Sequence, residues 1–329
     1  MINKKNLHFV YCFDANFNSQ AYSSISSLLD NVSEKIVISI LHDDLNSIKN
    51  LPSYIKNHKR LENLKTYQFK ETEFDFPNIE EAHVSKATYF RLFINQYVEI
   101  TDDFIIYVDA DMICISDPLD SIKQEIDILE SENFPLAAKT EIKRNLSKQE
   151  LEIYEQNSFF RKYWPFERLS IQDIYFNAGF MIINLKIWEQ ESIFEKLIEC
   201  MYSIKDKIVA WDQDVLNSVF DGNYLELSNK FNHFASHYKI DEEQDILFLH
   251  YYGSKKPWTT AGIFDANSEF YHFNYRKVHN KKYHIKNNWR RFAVIQLIKN
   301  MYSLKILALK FPITYIKEFL FSLLLKNKS

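Results

Sequence analysis

Apolar runs separated by polar turns set the pattern along this chain. Residues 7–13, 36–41, 104–108, 175–185 and 246–249 are rich in β-branched and aromatic side chains and read as buried strands. Residues 64–69 give a third strand in chain order, and 135–138 a short one. Residues 20–31 place Ile25, Leu28 and Leu29 at helical spacing. Residues 85–97 and 187–204 also read as helices, and another starts at Trp211. A helix after Asp44 is interrupted at Pro52, whose ring and missing N–H break helical runs. Residues 71–81 read as an acidic loop, and 141–170 as a polar and aromatic helical insertion. Asp117-Pro118 and Asp221-Gly222 read as turns, and Ala178-Gly179 as a small-residue kink in the strand over 175–185. This alternation predicts an α/β fold, a mostly parallel sheet with helices on both faces.

The central run, Phe104–Val108, is followed at once by Asp109-Ala110-Asp111. Alternate residues of an extended backbone point to one side, so both carboxylates aim at a point just past the strand's end. In open α/β sheets ligands bind there. Two carboxylates converging on one point repel unless a cation lies between them, and hard divalent ions prefer such oxygens. A solvated turn is the plainer alternative, because Asp is common after strands.

Composition narrows the classes. The chain has 329 residues, 46% hydrophobic and 26% charged, which is ordinary globular usage with length for a large core. No apolar run approaches the roughly 18 residues that span a bilayer, and the first strand-like segment begins without an apolar leader. Cys12, Cys114 and Cys200 are far apart and odd in number, so neither a disulfide framework nor a thiolate metal site is expected, and a reducing cytoplasm fits. Four glycines leave no dinucleotide fingerprint and no phosphate loop. The net charge of −4 is unevenly spread: residues 276–329 total +12 and residues 1–275 total −16. Such asymmetry points to a polyanion or membrane contact for the basic part.

Four stretches, taken in order, resemble glycosyltransferase family 8. They are Val108-Asp109-Ala110-Asp111, Phe176-Asn177-Ala178-Gly179 with Asn184-Leu185, Asp212-Gln213-Asp214, and residues 250–258 from His250 to Trp258. The resemblance runs from the first strand to about Trp258. It implies a Rossmann-like GT-A fold, a nucleotide-sugar donor that is usually a UDP-hexose, Mn²⁺ or Mg²⁺, and retention of anomeric configuration. By the same resemblance Asp109, Asp111 and His250 bind the metal; an ordinary core histidine is the alternative for His250. His233 and His237 have no motif support. Gly253 would let backbone approach the donor phosphates, and Lys256 would add positive charge to the leaving group, with Lys255 a surface charge. Cys12, Asp14, Asn16 and Phe17, after the first strand, fall where the family holds its uridine, though plain core packing also explains Phe17. Arg91 matches a basic residue near the donor; a helix-surface charge is its alternative. Asn177, Ala178, Asp212 and Gln213 would surround the transferred sugar, with Ala178 and Gly179 leaving room for its ring. Asp212 has a second reading as a helix cap. Glu141 falls near an acidic acceptor-side residue of the family. Retention with Gln213, a poor nucleophile, beneath the anomeric carbon points to front-face substitution rather than a covalent intermediate.

The basic tail, residues 276–329, mixes cations with Trp and large aliphatics and is interrupted by Pro312. It reads as a surface-lying membrane segment appended to a catalytic domain over 1–275. A cationic helix packed on the acidic body is the alternative, and nucleic acid fits poorly because no recognition motif accompanies the apolar content. The expected activity is therefore hexosyl transfer to a glycan, with a lipid-linked lipopolysaccharide core as acceptor, at the inner face of the cytoplasmic membrane. Two rivals remain. One is a haloacid dehalogenase-type phosphohydrolase using Mg²⁺, although Ile113 and the late position of the Asp pair speak against it. The other is a membrane-bound glycan or sugar-nucleotide binder without activity.

Overall fold

The computed structural model describes residues 6–70, 74–77, 85–145, 164–235, 240, 245–253, 256–286 and 290–324. Seven strands form one sheet: β1 (His8–Phe13), β2 (Ile36–His42), β3 (Leu61–Gln68), β4 (Phe104–Val108), β6 (Leu136–Lys143), β7 (Ile174–Asn184) and β8 (Leu225–Glu226), in the order β3-β2-β1-β4-β7-β6-β8. β3, β2, β1 and β4 run parallel, β7 lies antiparallel between β4 and β6, and β8 pairs parallel with β6. The expected mostly parallel α/β sheet is present. Strand order reverses between β1 and β4, because the chain builds outward from β1 to β3 and then returns beside β1. That reversal opens a crevice at the strands' C-terminal ends.

β1 and β2 are buried almost throughout, which is why their apolar runs are continuous rather than alternating. One core lies beneath helix Asn18–Asn31, built on Phe9, Tyr11, Ile25, Leu28, Ile38 and Ile106; the other contains Val10, Tyr107, Met181, Trp188 and Leu216. Helix Asn18–Asn31 covers the expected span over 20–31 and begins two residues sooner. The region after Asp44 forms Leu45–Ile48 and Ser53–Lys56, with Pro52 between them as expected.

Several elements differ from the sequence expectation. β3 begins at Leu61, three residues before the expected start, because it is an edge strand whose Glu62, Asn63 and Lys65 face solvent and hide its pattern. Residues 85–97 wind as a 3-10 helix over Lys86–Phe93 and an α-turn over Ile94–Tyr97. Tyr89 to Phe93 are all buried there, so burial surrounds this segment instead of following one helical stripe. The helix expected over 187–204 divides into Leu185–Gln190 and Ile193–Ser203, because Ser192 adopts a left-handed conformation at φ 51°. β6 extends five residues beyond the expected 138. The kink at Ala178-Gly179 is present as a jump in the β6–β7 register, from Ala138↔Met181 to Lys139↔Asn177.

A second sheet was not anticipated. β5 (Met112–Cys114), β9 (His233–Phe234) and β10 (Phe248–His250) pair in the order β5-β10-β9. The last expected strand therefore lies outside the main sheet, antiparallel to the segment that follows the Asp pair. Most of the expected insertion over 141–170, part of the acidic loop, His237, Lys255 and Trp289 lie outside the described residues.

Beyond β10, helix Ser268–Val278 packs beside helix Asn18–Asn31 and runs through residue 275. Helices Arg290–Tyr302 and Pro312–Leu324 follow. Ala293, Leu297, Ile306, Tyr315 and Phe319 gather with Ile263 and Tyr283 into a separate small core. Glu318, the only acid in residues 276–329, accepts hydrogen bonds from the backbone N–H groups of Lys282 and Tyr283 at 3.0 and 2.8 Å.

Candidate active site

β4 ends at Val108, and the turn Asp109–Asp111 hands the chain to β5. The Asp109 N–H donates to the Gly179 carbonyl at 2.8 Å, which ties this turn to β7. Antiparallel pairing of β5 with β10 sets His250 opposite Met112. One ligand atom each of Asp109, Asp111 and His250 then lies within 4.8 Å of the other two. His250 Nε2 is 3.2 Å from Asp111 Oδ1 and 3.9 Å from Asp109 Oδ2. The other oxygen of Asp109 is already engaged: Tyr107 donates its hydroxyl to Oδ1 at 2.6 Å, and Arg91 pairs with it at 3.1 Å. The other oxygen of Asp111 is paired with Lys256. What faces the common point is one free carboxylate oxygen edge from each Asp and one imidazole nitrogen. That donor set suits a hard or borderline divalent ion. Burial by itself would raise the Asp111 carboxyl, but Lys256, joined by His250 when its ring is protonated, outweighs it and holds this group well below the usual carboxylate range. The Lys256 ammonium is thus a positive charge supplied by the chain itself to this acidic corner.

Space for His250 comes from β7. A Cβ built on Gly179 would stand 2.3 Å from His250 Cε1 and 2.7 Å from Nδ1. The glycine expected to leave room for a sugar ring leaves room for the imidazole instead. Gly253 follows β10 at φ +83°, a conformation that disfavours any side chain, and open space surrounds it.

Arg91 is buried, and the surface-charge alternative does not hold. Its Nε lies 2.7 Å from Asp212 Oδ2, and one terminal nitrogen donates to the Ala178 carbonyl at 2.6 Å. The guanidinium also stacks over Tyr107, 4.7 Å from the ring centre. It therefore clamps Asp109, Asp212 and β7 together. Burial works against the Arg91 charge, but Asp109 and Asp212 outweigh it and keep the group protonated. Burial pushes Asp212 up to about 6, against the downward pull of Arg91 and of the Thr88 hydroxyl, which donates at 2.5 Å. Asp212 is 2% exposed and occupied by these partners. It is not the cap of helix Trp211–Phe220, whose N-cap is Ala210. The acid that satisfies that helix start is Asp214, which accepts from the N–H groups of Val209 and Ala210 and pairs with Arg168.

Gln213 is partly exposed. Its Oε1 accepts the Ala178 N–H at 3.1 Å and its Nε2 donates to Glu141 at 3.2 Å. Asn177 also donates to Glu141, at 3.1 Å. Ala178 thus contributes both backbone groups, one to Gln213 and one to Arg91. Glu141, expected only loosely from sequence, is the acceptor on which two amides converge.

At the end of β1, Asp14 caps a short 3-10 turn, accepting the Asn16 N–H at 2.9 Å. Cys12 is buried within β1, its backbone paired with Leu41. Phe17 is half-buried, packed between the core beneath helix Asn18–Asn31 and a further cluster that includes Ile113, Leu249, Tyr251 and Trp258. A residue of the tail joins this group: Lys286 donates to the Asn16 carbonyl at 2.5 Å and lies 5.3 Å from the Phe17 ring centre. Nothing in the sequence linked residue 286 to residue 16. His233 hydrogen-bonds to Asn229 and takes no part in the cluster.

Comparison with known proteins agrees with this geometry. The sequence profile described as glycosyl transferase family 8 matches residues 8–262. A lipopolysaccharide 1,3-galactosyltransferase of Salmonella typhimurium is 32% identical over 193 residues, covering 56% of this chain and 52% of that protein, so the match spans about half of the relative's length. A putative glycosyltransferase of Haemophilus influenzae is 28% identical over 244 residues, 71% of this chain and 68% of that protein. In fold, the chain is similar to galactosyltransferase LgtC, solved with donor and acceptor sugar analogues, with a TM-score of 0.65, 20% identity, and coverage of 86% of this chain and 99% of that one. With the family's profile matched over most of its length and the Asp109–Asp111–His250 corner assembled, this chain belongs to glycosyltransferase family 8.

Proposed function

We propose that this chain is a retaining hexosyltransferase that moves galactose or glucose from a UDP-sugar to a glycan, with Mn²⁺ or Mg²⁺ held by Asp109, Asp111 and His250. The observation that carries the proposal is the convergence of two carboxylates and one imidazole at the crevice beside β4. A cation there would neutralise the donor diphosphate as it departs. Lys256 stands at the same corner, positioned to meet the leaving group where its negative charge grows. Asp14, Asn16 and Phe17 at the neighbouring strand end supply an acidic edge, an amide and an aromatic face for the nucleobase.

Gln213, held by Ala178 and Glu141, presents a fixed amide rather than a nucleophile. Asp212, the carboxylate beside it, is buried and paired with Arg91. The absence of a free carboxylate among these residues supports front-face substitution, in which the departing phosphate takes the proton of the incoming hydroxyl. A covalent sugar trapped on Asp212 or Gln213 would overturn that mechanism.

For the acceptor we propose a lipid-linked glycan such as a lipopolysaccharide core, met at the inner face of the cytoplasmic membrane by residues 276–329. Phe292, Ile295, Ile298, Tyr302, Leu307, Ile313 and Leu324 are large, apolar and exposed, and Arg291, Lys299, Lys305 and Lys317 lie exposed among them. Among the described residues no helix is long and apolar enough to cross a membrane. An interfacial segment accounts for both features.

The decisive experiment is a screen of UDP-sugars with Mn²⁺ and the purified chain, following UDP release. UDP-galactose or UDP-glucose turnover that vanishes without metal and in Asp109→Ala supports the proposal. Binding without turnover would favour a carbohydrate-binding role, and phosphate release from simple monoesters a phosphohydrolase.

A further inference from the structure

Behind His250 runs a chain of side-chain amides that fixes which of its ring nitrogens faces the carboxylates. His250 is 3% exposed, and its Nδ1 lies 2.9 Å from Asn232 Oδ1. Asn232 is 1% exposed, and its Nδ2 donates to Asn177 Oδ1 at 2.8 Å. Asn177 Oδ1 also accepts the Gly179 N–H at 2.9 Å, while its Nδ2 donates to Glu141.

Each link in this chain has only one consistent polarity. The Gly179 N–H is a donor only, so Asn177 must turn its oxygen toward it. Asn177 Nδ2 then meets Glu141, whose carboxylate accepts. Asn232 must give its nitrogen to the Asn177 oxygen, which leaves its own oxygen for His250. The hydrogen of neutral His250 therefore sits on Nδ1, and the lone pair sits on Nε2, the nitrogen 3.2 Å from Asp111. The other tautomer would set two lone pairs against each other at Nδ1, where only Asn232 can answer, whereas at Nε2 a cation can lie between the imidazole lone pair and the Asp111 oxygen.

We infer that Asn232 is a positioning residue for the metal corner, holding His250 in the tautomer and orientation that ligation needs and coupling it through Asn177 to Glu141. No side chain of Asn232 reaches the carboxylates, so it acts only through His250. Its place follows from the second sheet: β9 begins at the next residue and pairs with β10 at Leu249↔His233. The backbone carbonyl of Asn232 is also held, by Lys139 at 3.1 Å.

This inference rests on the metal-site reading, and the test separates the two. Mn²⁺ binding is measured directly, by paramagnetic resonance or calorimetry with UDP present, on folded protein checked by circular dichroism. Asn232→Leu removes the acceptor for Nδ1 and is expected to weaken Mn²⁺ binding about 10- to 100-fold, the usual cost of losing such a partner. Asn232→Ala, which adds no bulk, carries the same expectation should the leucine variant fail to fold. Asn232→Asp keeps an acceptor for Nδ1 but gives up the donor to Asn177 Oδ1, so it is expected to bind Mn²⁺ more tightly than Asn232→Leu and less tightly than the unaltered chain. Unaltered binding in Asn232→Leu or Asn232→Ala, alongside lost binding in Asp109→Ala, sinks the role of Asn232 alone. Equal loss in the Leu and Asp variants reduces Asn232 to a packing residue and also overturns the inference. Unaltered binding in Asp109→Ala sinks the metal site and this inference with it.

Discussion

Gly179→Ala tests the site through a single methyl group. Gly179 lies inside β7 with no positive φ, so alanine meets no backbone penalty there. The conflict is steric. The added Cβ would stand 2.3 Å from His250 Cε1, 2.7 Å from Nδ1 and 3.0 Å from Asn177 Oδ1. Carbon atoms pack comfortably at about 3.5–4.0 Å, so the ring must withdraw by more than about 1 Å. It has little freedom to do so, because Asn232 holds Nδ1 and β10 is paired to β5 through His250 itself. Metal–ligand distances tolerate only about 0.2 Å of error, and misplacement by about 1 Å can cost about 100-fold in rate. Metal-dependent UDP release should fall by about that factor, with Mn²⁺ affinity at least about tenfold weaker. Overpacking should cost about 1–3 kcal/mol of stability in denaturant unfolding. Removing the imaginary obstacle identifies the cause: in a His250→Ala background the same glycine change should cost little stability, giving a positive coupling in the double-mutant cycle. A Gly179→Ala protein with unaltered Mn²⁺ affinity, or a stability loss that persists in the His250→Ala background, refutes the steric argument.

Other expectations follow from the same contacts. Arg91→Met leaves the buried Asp212 carboxylate and one oxygen of Asp109 without their cation, and should lower unfolding stability by about 3–5 kcal/mol; Arg91→Lys should not rescue it, because one ammonium cannot replace a fork reaching three partners. Burial lowers the His272 imidazole to about 3, and it donates to the Pro257 carbonyl at 3.1 Å. The unfolded chain therefore takes up this proton first as pH falls below about 6.5, so stability is full above that pH and is lost toward pH 3, by up to about 1.4 kcal/mol per unit. Melting curves between pH 7.5 and 5 should show stability falling with pH, and His272→Phe should reduce that slope without abolishing it, because burial also lowers His284, His279 and His42. Replacing Phe292, Ile298 and Leu307 together by Ser should abolish co-sedimentation with anionic vesicles while UDP release continues; these side chains are exposed, so folding is spared. Lys256→Met should reduce UDP release about 100-fold, read against an unchanged fold by circular dichroism.

What the sequence determined by itself was local. The run at Phe104–Val108 is apolar throughout, and that at Ile174–Asn184 apolar but for Asn177, Gly179 and Asn184, because both faces of those strands are covered; the Asp pair is visible because it stops the first of them. The ordered motifs carried the family and, with it, the expected metal residues. Pairing was not legible. Periodicity reports whether a residue is buried, not against what, so nothing announced that β7 runs antiparallel beside β4 or that β5 and β10 form a second sheet. Arg91 matched a basic residue near the donor, but a surface charge stayed open as its alternative because its three partners lie between 18 and 121 residues away. Gly179 looked like room for a ligand, and only the fold shows His250 filling that space. Asn232 carries no motif at all; the β9–β10 pairing alone sets it behind His250. Lys286 reaches Asn16 for the same reason: chain folding, not chain order, decides which polar groups must satisfy one another once water is excluded.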